Sequence, residues 1–467
     1  MTLEYTYTGR DFTSEYNRLI ALLQSELPEY TDLNHSDAGI VLLRLLARET
    51  DQLNNYIDRV FSEGFLQTAL FKQSLIELGR LVDYLPELPS AATTTLLLTR
   101  QFGIEEDIPI AQYSEFTRSN GLIYTNLDAA TLTGDTISID VVQGEMVTVT
   151  KRSTDFTQTD WTGRLKLNLG AGIAAGYVTM QHGTTPVYTW TEVDSFWRST
   201  ATDRHFMLEL DEDDNVWLVV GDGTSGATLP TLTDITISYL VTDGKAGNCG
   251  AGLITGIPES VTGLVSSVSN TVVANGGSDA ESIESIRRNI PRVTRTQRRG
   301  VTAEDYEALI EHLPGVLWCQ ALDRNTIDAY PWEFVALYIV PDGGGPMSDQ
   351  FKSAILSELM DWGHMLNWSK RYLLLDATEL DVDVTVRIGV LPGYNSNTVS
   401  AAVITSLNTL FDIDNRGIAE SLSFTDLHNA VQNTTGVSWC EFTTPIGDVN
   451  PGNGNIVRPG SFSVTVA

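Results

Sequence analysis

Displacing the C-terminal third of this sequence by 121 positions lays it on itself without a gap. Ile283, Ile286, Ile290, Val301, Tyr306, Ile310 and Val316 fall on Ile404, Leu407, Phe411, Leu422, Leu427, Val431 and Val437. Asp305 falls on Asp426, and Gly315-Val316-x-Trp318-Cys319 falls on Gly436-Val437-x-Trp439-Cys440. Apolar positions kept at one offset mean one supersecondary unit built twice, since the same side must be buried both times. The spacing predicts helix–helix–strand in each copy. A hydroxyl–x–x–carboxylate (Thr302 with Asp305, Ser423 with Asp426) opens the second helix as a capping box does, with Asp in place of Glu or Gln. Two related α+β subdomains are expected, residues 271–375 and 376–467.

The other end of the chain has a different period. Phe12, Tyr16, Leu19, Ile20, Leu23 and Leu27 recur at three and four residues and stop at Pro28. Ser36-Asp37 can cap a second helix carrying Ile40, Leu43, Leu46, Leu53, Ile57 and Val60, roughly 40 Å long. A third runs from Leu70 to Tyr84 after the break at Gly64. These helices, residues 1–88, can close a small bundle among themselves or leave an apolar seam for a partner's helix. Between the two ends threonine, valine and glycine rise. Alternating runs such as Thr93 to Leu98, Ile137 to Val142 and Ile235 to Val241 read as strands. The expected fold is α+β and multidomain: an N-terminal helical bundle segment, a central antiparallel β-rich domain (89–270, with an insertion near 151–188), and the C-terminal pair.

Bulk charge narrows the function. A formal charge of −31 repels phosphate backbones and argues against a nucleic-acid role. Cys249, Cys319 and Cys440 are too far apart for a disulfide framework and read as thiols of a reducing cytoplasm. The N-terminus, MTLEYTYTGRDF, lacks the parts of a signal peptide, and no apolar run reaches the roughly 20 residues of a membrane span.

No pattern nominates an active site, so no catalytic residue, cofactor or metal is expected. Gly221-Asp222-Gly223-x-x-Gly226 lacks the Lys-Ser/Thr of a phosphate loop and reads as a hairpin turn. Asp211, Asp213, Asn215 and Asp222 have calcium-loop spacing, but Val216 stands where that loop needs glycine, which favours a solvated turn. The six histidines (His35, His182, His205, His312, His364, His428) show no paired metal spacing. Of the tryptophans, Trp318 and Trp439 are equivalent under the repeat and are expected in the core.

One basic patch remains. Arg287, Arg288, Arg292, Arg295, Arg298 and Arg299 crowd into thirteen residues, just before a helix opened by Val301-Thr302-Ala303-Glu304-Asp305-Tyr306. Three uses are open to them: ion pairs within the chain, contacts to an acidic neighbouring subunit, or nucleic acid. The charge balance favours the first two. The whole stretch Asn275 to Cys319 closely resembles a signature of the baseplate J-like family, the wedge proteins of contractile phage tails and related injection machines. Other blocks follow in order: Asp37-Ala38-Gly39-Ile40-Val41-Leu42-Leu43, Asp58 to Ala69, Trp190 to Phe196, Asp203-Arg204-His205-Phe206, Gly221 to Gly226, Gly244-Lys245-Ala246-Gly247-Asn248, and Gly276-Gly277-x-Asp279-Ala280-Glu281-Ser282. Ile108-Pro109-Ile110-Ala111-Gln112 departs by lacking the glycine of the usual turn, and 151–188 matches little.

The resemblance implies a structural, non-catalytic baseplate wedge subunit of the virion tail, assembled in the host cytoplasm. Its N-terminal helices would join a bundle with a second copy and another wedge protein, for which Leu43, Leu46, Leu53, Ile57 and Val60 are the candidate contacts. Its C-terminal domains would meet neighbouring wedges in a ring beside the tail hub and sheath initiator, with the six arginines as candidate intersubunit contacts. The ring would relay the trigger for sheath contraction. The alternative is a tail-associated glycan-binding or glycan-hydrolysing protein, which would need paired carboxylates in a cleft.

Overall fold

The computed structural model describes residues 7–158, 163–297, 299–322, 335–361 and 372–466. The chain forms two compact units, one of residues 1–85 with 282–290 and the other of 86–281 with 291–467. The fold is α+β, with helices first, a large β-rich centre and α+β elements at the end.

In the first unit, α1 (Phe12–Glu26) starts at Asp11, which shares reciprocal hydrogen bonds with Ser14. Helix α2 (Ala38–Glu63) starts at Asp37, whose carboxylate accepts from the N–H groups of Gly39 and Ile40 and from the Tyr30 hydroxyl. These bonds occupy donors that a helix N-terminus otherwise leaves unmet. The third helix, α3 (Lys72–Arg80), is shorter than the expected run to Tyr84 because Leu81 to Tyr84 turn back, with the Tyr84 N–H bonded to the Gly79 carbonyl. Ile40, Ala47, Leu75, Ile76, Tyr84 and Ile286 make its buried apolar interior.

The second unit begins with two β layers. A six-stranded sheet runs in the order Ile254–Gly256, Glu115–Arg118, Ile123–Asn126, Thr136–Gln143, Thr93–Arg100, Val265–Asn270. Its core holds Leu96, Leu98, Phe116, Tyr124 and Val141. Pro109, in the departing turn, projects between the buried Ile108 and Ile110 of a two-stranded ribbon with Ala130–Leu132. The second sheet is eight-stranded, with a core of Met180, Trp190, Phe206, Leu218 and Ile237. Within 151–188, Leu165–Ala171 and Thr179–His182 pair inside this sheet.

Three loops then knit the β region to the first C-terminal subdomain. The Asn248 side-chain amide makes a two-bond ring with the Gly277 backbone, at 2.8 and 2.9 Å. Asn275 donates to the carbonyls of Gly344 and Pro346. A Cβ on Gly276, whose φ is +82°, would press on the Phe351 ring at 3.3 Å, and one on Gly277 would come within 2.5 Å of the Gly244 carbonyl. Glycine is required at both by close approach. Lys245 reaches out of the same cluster to Asp414 at 2.5 Å and Asp342 at 3.9 Å.

The C-terminal elements repeat in part. Helix α4 (Ile283–Thr296) precedes α5 (Ala303–Ile310) and the strand Val316–Leu322; α7 (Ser396–Leu410) precedes α8 (Phe424–Gln432) and the strand Val437–Thr444. Helix α6 (Asp349–Asp361) belongs to the first group alone. The glycines that open the two strands, Gly315 and Gly436, both have positive φ. Each strand lies at the margin of a three-stranded sheet and pairs antiparallel with a middle strand that pairs parallel with the third. The chain enters the two sheets differently: the middle strand Val335–Pro341 follows its helices, whereas Thr378–Val390 precedes them. Only Thr302 and Asp305 form the reciprocal capping box; Ser423 caps α8 through Thr425, and Asp448 takes the Phe424 N–H.

Burial pushes the Asp342 carboxyl up to about 6 against the pull of the Lys245 ammonium. An acid raised in the folded state contributes stability that is present below its ordinary value of 3.8 and lost as pH rises through about 6. Asp342→Asn should therefore raise the stability of this unit at pH 7 by roughly 1–3 kcal/mol. The gain should vanish near pH 4 in calorimetric melts of variant and wild type compared at each pH.

Candidate functional site

Helix α2 is built with its apolar side outward. The residues it buries within the unit are Ile40, Ala47 and Asn54, seven apart, and the last is polar. Asp58 continues that side and accepts from the Thr8 N–H and hydroxyl. The opposite side carries Leu42, Leu46, Leu53 and Val60, left 61%, 57%, 59% and 72% exposed. With Glu49 and Tyr56 they recur at alternating four- and three-residue steps, the spacing of a seam that packs against another helix. Leu45, Ile57 and Phe61 widen the stripe. A contiguous apolar surface of this kind marks an interaction site.

The five candidate bundle residues divide accordingly. Leu46, Leu53, Ile57 and Val60 are exposed on the stripe, while Leu43 is half-buried. Leu42, Leu45 and Tyr56 were not among them. The doublets Leu42-Leu43 and Leu45-Leu46 in the sequence carry the signal, since two adjacent leucines cannot share one narrow side of a helix.

The arginines also divide. Arg287 donates from Nε to the Leu66 carbonyl and from Nη2 to the Ala69 carbonyl, and pairs with Glu284 at 2.8 Å, all within the first unit. In the second unit Arg292 pairs with Glu311 at 2.7 Å and Arg295 with Glu304 at 3.2 Å. Arg299 bonds to Gln297, Arg288 is exposed, and Arg298 lies outside the described residues. Arg287 and Arg292 are thus committed inside the chain by partly buried contacts, and Arg295 by an exposed one.

The remaining sequence candidates have structural partners. Asp211 closes the turn between His205–Leu210 and Asn215–Val220, accepting from the backbone of Asp213 and Asn215 and from the Trp217 indole. The Gly221 to Gly226 loop is not a hairpin, because the strands it joins, Asn215–Val220 and Asp234–Val241, are not neighbours in their sheet. Asp222 instead accepts from the Thr224 and Ser225 N–H groups, and a Cβ at Gly226 would press on the Phe196 ring. The tryptophan expectation needs correction. Trp318 is half-buried, held by the Ile413 carbonyl, and Trp439 is exposed, lying over Gly389, where a Cβ would meet its indole. A margin strand leaves such a side chain half uncovered. Trp332, Trp362, Trp368 and His364 lie outside the described residues.

Two cavities, of about 430 and 350 Å³, are shallow. The first is lined by Glu63 and Glu77. Burial raises the Glu63 carboxyl, but the Leu70 and Phe71 N–H groups it binds, with Ser74 and Arg59, hold it below its ordinary value, as a group fixed in its charged form. The second exposes Glu115 and Glu259 to solvent.

Residues 11–81 match a family described as bacteriophage baseplate protein, N-terminal domain. The helical start of this chain is thus similar to that domain. No curated protein matches the chain. Among solved structures, a chain of the anti-feeding prophage (AFP) baseplate, determined by cryo-EM with 6-fold symmetry, aligns over 99% of both chains at 13% identity. Its TM-score of 0.36 bears on neither fold nor role.

Arg287→Ala leaves two carbonyls and a carboxylate without their cation and should destabilise the first unit by about 2–4 kcal/mol. Arg295→Ala removes an exposed pair and should change stability by about 0.5 kcal/mol or less. Urea unfolding of the two variants beside wild type distinguishes the committed arginine from the solvated one.

Proposed function

We propose that the chain is a structural wedge subunit of a contractile-tail baseplate and that its role is assembly rather than catalysis. The outward apolar stripe of α2 supports this most directly, because it falls inside the segment that matches a phage-baseplate N-terminal domain. The four exposed seam residues on one helix side are withdrawn from water only when a partner helix covers them. Burying each leucine or valine is worth about 1.5–3 kcal/mol. The occupants on this reading are α2 of a second copy and a helix of another wedge protein. The C-terminal subdomains then meet neighbouring wedges in a ring around the tail hub, close to the sheath initiator. A ring that relays a trigger needs contacts with two packings of similar free energy. The exposed Arg288, Arg295 and Arg299 are suited to contacts with acidic neighbours.

The test places Asp at Leu46, Leu53 and Val60 together. These side chains are already in water, so the helix content and melting temperature of the isolated chain should be kept. Co-expressed with the other tail proteins of its locus, wild type should be recovered in a multi-copy complex and the triple variant alone. Recovery of the variant in the same complex, by native mass, would sink the bundle reading.

A further inference from the structure

We propose that the strand Val437–Thr444 is an open sheet edge that receives a second copy of this chain, whose strand Asn455–Val466 pairs antiparallel with it. The inference deepens the ring-contact part of the proposed function and rests on that reading.

The two copies of the repeated element treat their margin strands differently. Val316–Leu322 and Val437–Thr444 both carry a bulge after the first residue and then pair one to one as far as Leu322 and Phe442, Trp318 with Val340 and Cys319 with Ile339, Trp439 with Gly389 and Cys440 with Ile388; Val437–Thr444 has a second irregularity between Phe442 and Thr444. The same backbone groups therefore face away from the sheet in both. In the first copy these groups are occupied. The Cys319 N–H donates to Glu311 at 3.1 Å and the Ala321 N–H to Glu307 at 3.0 Å, two carboxylates one helical turn apart. At the 121-residue offset those glutamates become His428 and Gln432. The His428 ring packs near Phe442, and Gln432 donates to the Ser438 carbonyl. No side chain among the described residues accepts from the N–H of Cys440 or Phe442. The strand also contains no lysine or proline, the residues that natural proteins place on edges to keep other strands away. Unmet main-chain groups on such an edge are what an added strand binds.

The same sheet carries the complementary margin. Asn455–Val466 lies on its other side, parallel to the middle strand, whereas Val437–Thr444 is antiparallel to it. Continuing the sheet from copy to copy brings the two margins together antiparallel, the more stable pairing. The faces agree as well. Cys440, Phe442, Phe462 and Val464 all pack toward one core. Cys440 then meets Val464 and Phe442 meets Phe462 of the neighbour, with Trp439 against Thr465 and Glu441 against Ser463. No like charges are opposed. A head-to-tail contact of this kind is heterologous and builds a ring when its rotation closes.

The experiment is sedimentation of the full chain over a range of concentrations. Wild type should associate beyond a dimer. His428→Glu with Gln432→Glu copies the carboxylates of the first subdomain and should weaken association about tenfold or more with an unchanged melting temperature. A second variant, Thr443→Cys with Ser461→Cys at two exposed positions, should form disulfides between copies on oxidation, while either substitution alone does not yield a ladder. Wild type that stays monomeric, a ladder that fails to form, or a folded glutamate variant that associates as wild type does would overturn the proposal. If self-association is absent yet capture of the other tail proteins through α2 persists, this edge is refuted and the wedge reading stands. If the α2 variant still joins that complex while copies associate through the edge, the failure belongs to the bundle reading.

Discussion

The larger unit depends on a few side-chain amides that bind backbone rather than each other. Asn248 closes a ring with Gly277, and Asn275 holds the carbonyls of Gly344 and Pro346. A loop junction buries main-chain groups without a sheet or helix to pair them, and each unmet group would cost of order 1–3 kcal/mol. Asparagine offers a donor and an acceptor in one plane, and glycine lets the second backbone come close enough to use both. The motifs Gly244 to Asn248 and Gly276 to Asp279 are therefore two halves of one joint, although about thirty residues separate them. Lys245 extends the joint to Asp342 and Asp414, so three parts of the unit converge on one ammonium.

The smaller unit shows the opposite economy. It buries Asn54 and Glu15 and leaves leucines in water. Glu15 is tolerable because Arg10 and Arg18 flank it, and Asp58 because Thr8 donates twice. A chain with charge −31 keeps such an apolar stripe from meeting its own kind prematurely, since like-charged copies repel at a distance. The stripe becomes useful only where a partner brings enough contact to outweigh that repulsion.

Much of this was legible in the sequence. The helix start at Asp37, the strand runs at Thr93, Ile137 and Ile235, and the α5–strand and α8–strand pairs follow from local periodicity and capping chemistry. The errors have local causes as well. Trp439 was expected in the core because its equivalence to Trp318 says where it sits on the strand, not what covers that strand. The Gly221 to Gly226 loop looked like a hairpin because a turn signature does not reveal whether the strands on either side are neighbours. Leu43 and Leu46 looked alike because both lie on apolar series of one helix, and only their burial in the folded unit separates them.

The sequence by itself determined the local elements, their caps, the duplicated helix–strand unit and the outward-leaning chemistry of the acidic surface. Each depends on residues within a few turns of one another, or on a pattern repeated at a constant offset. Tertiary structure alone decided which face of α2 is left bare, which arginines are spent inside the chain, and which of two equivalent strands keeps an open margin. These outcomes turn on pairs such as Arg287 with the Leu66 carbonyl and Glu311 with the Cys319 N–H, whose partners are set by how the elements pack. Burial is a property of the assembled neighbourhood, and a one-dimensional pattern carries only half of each such contact.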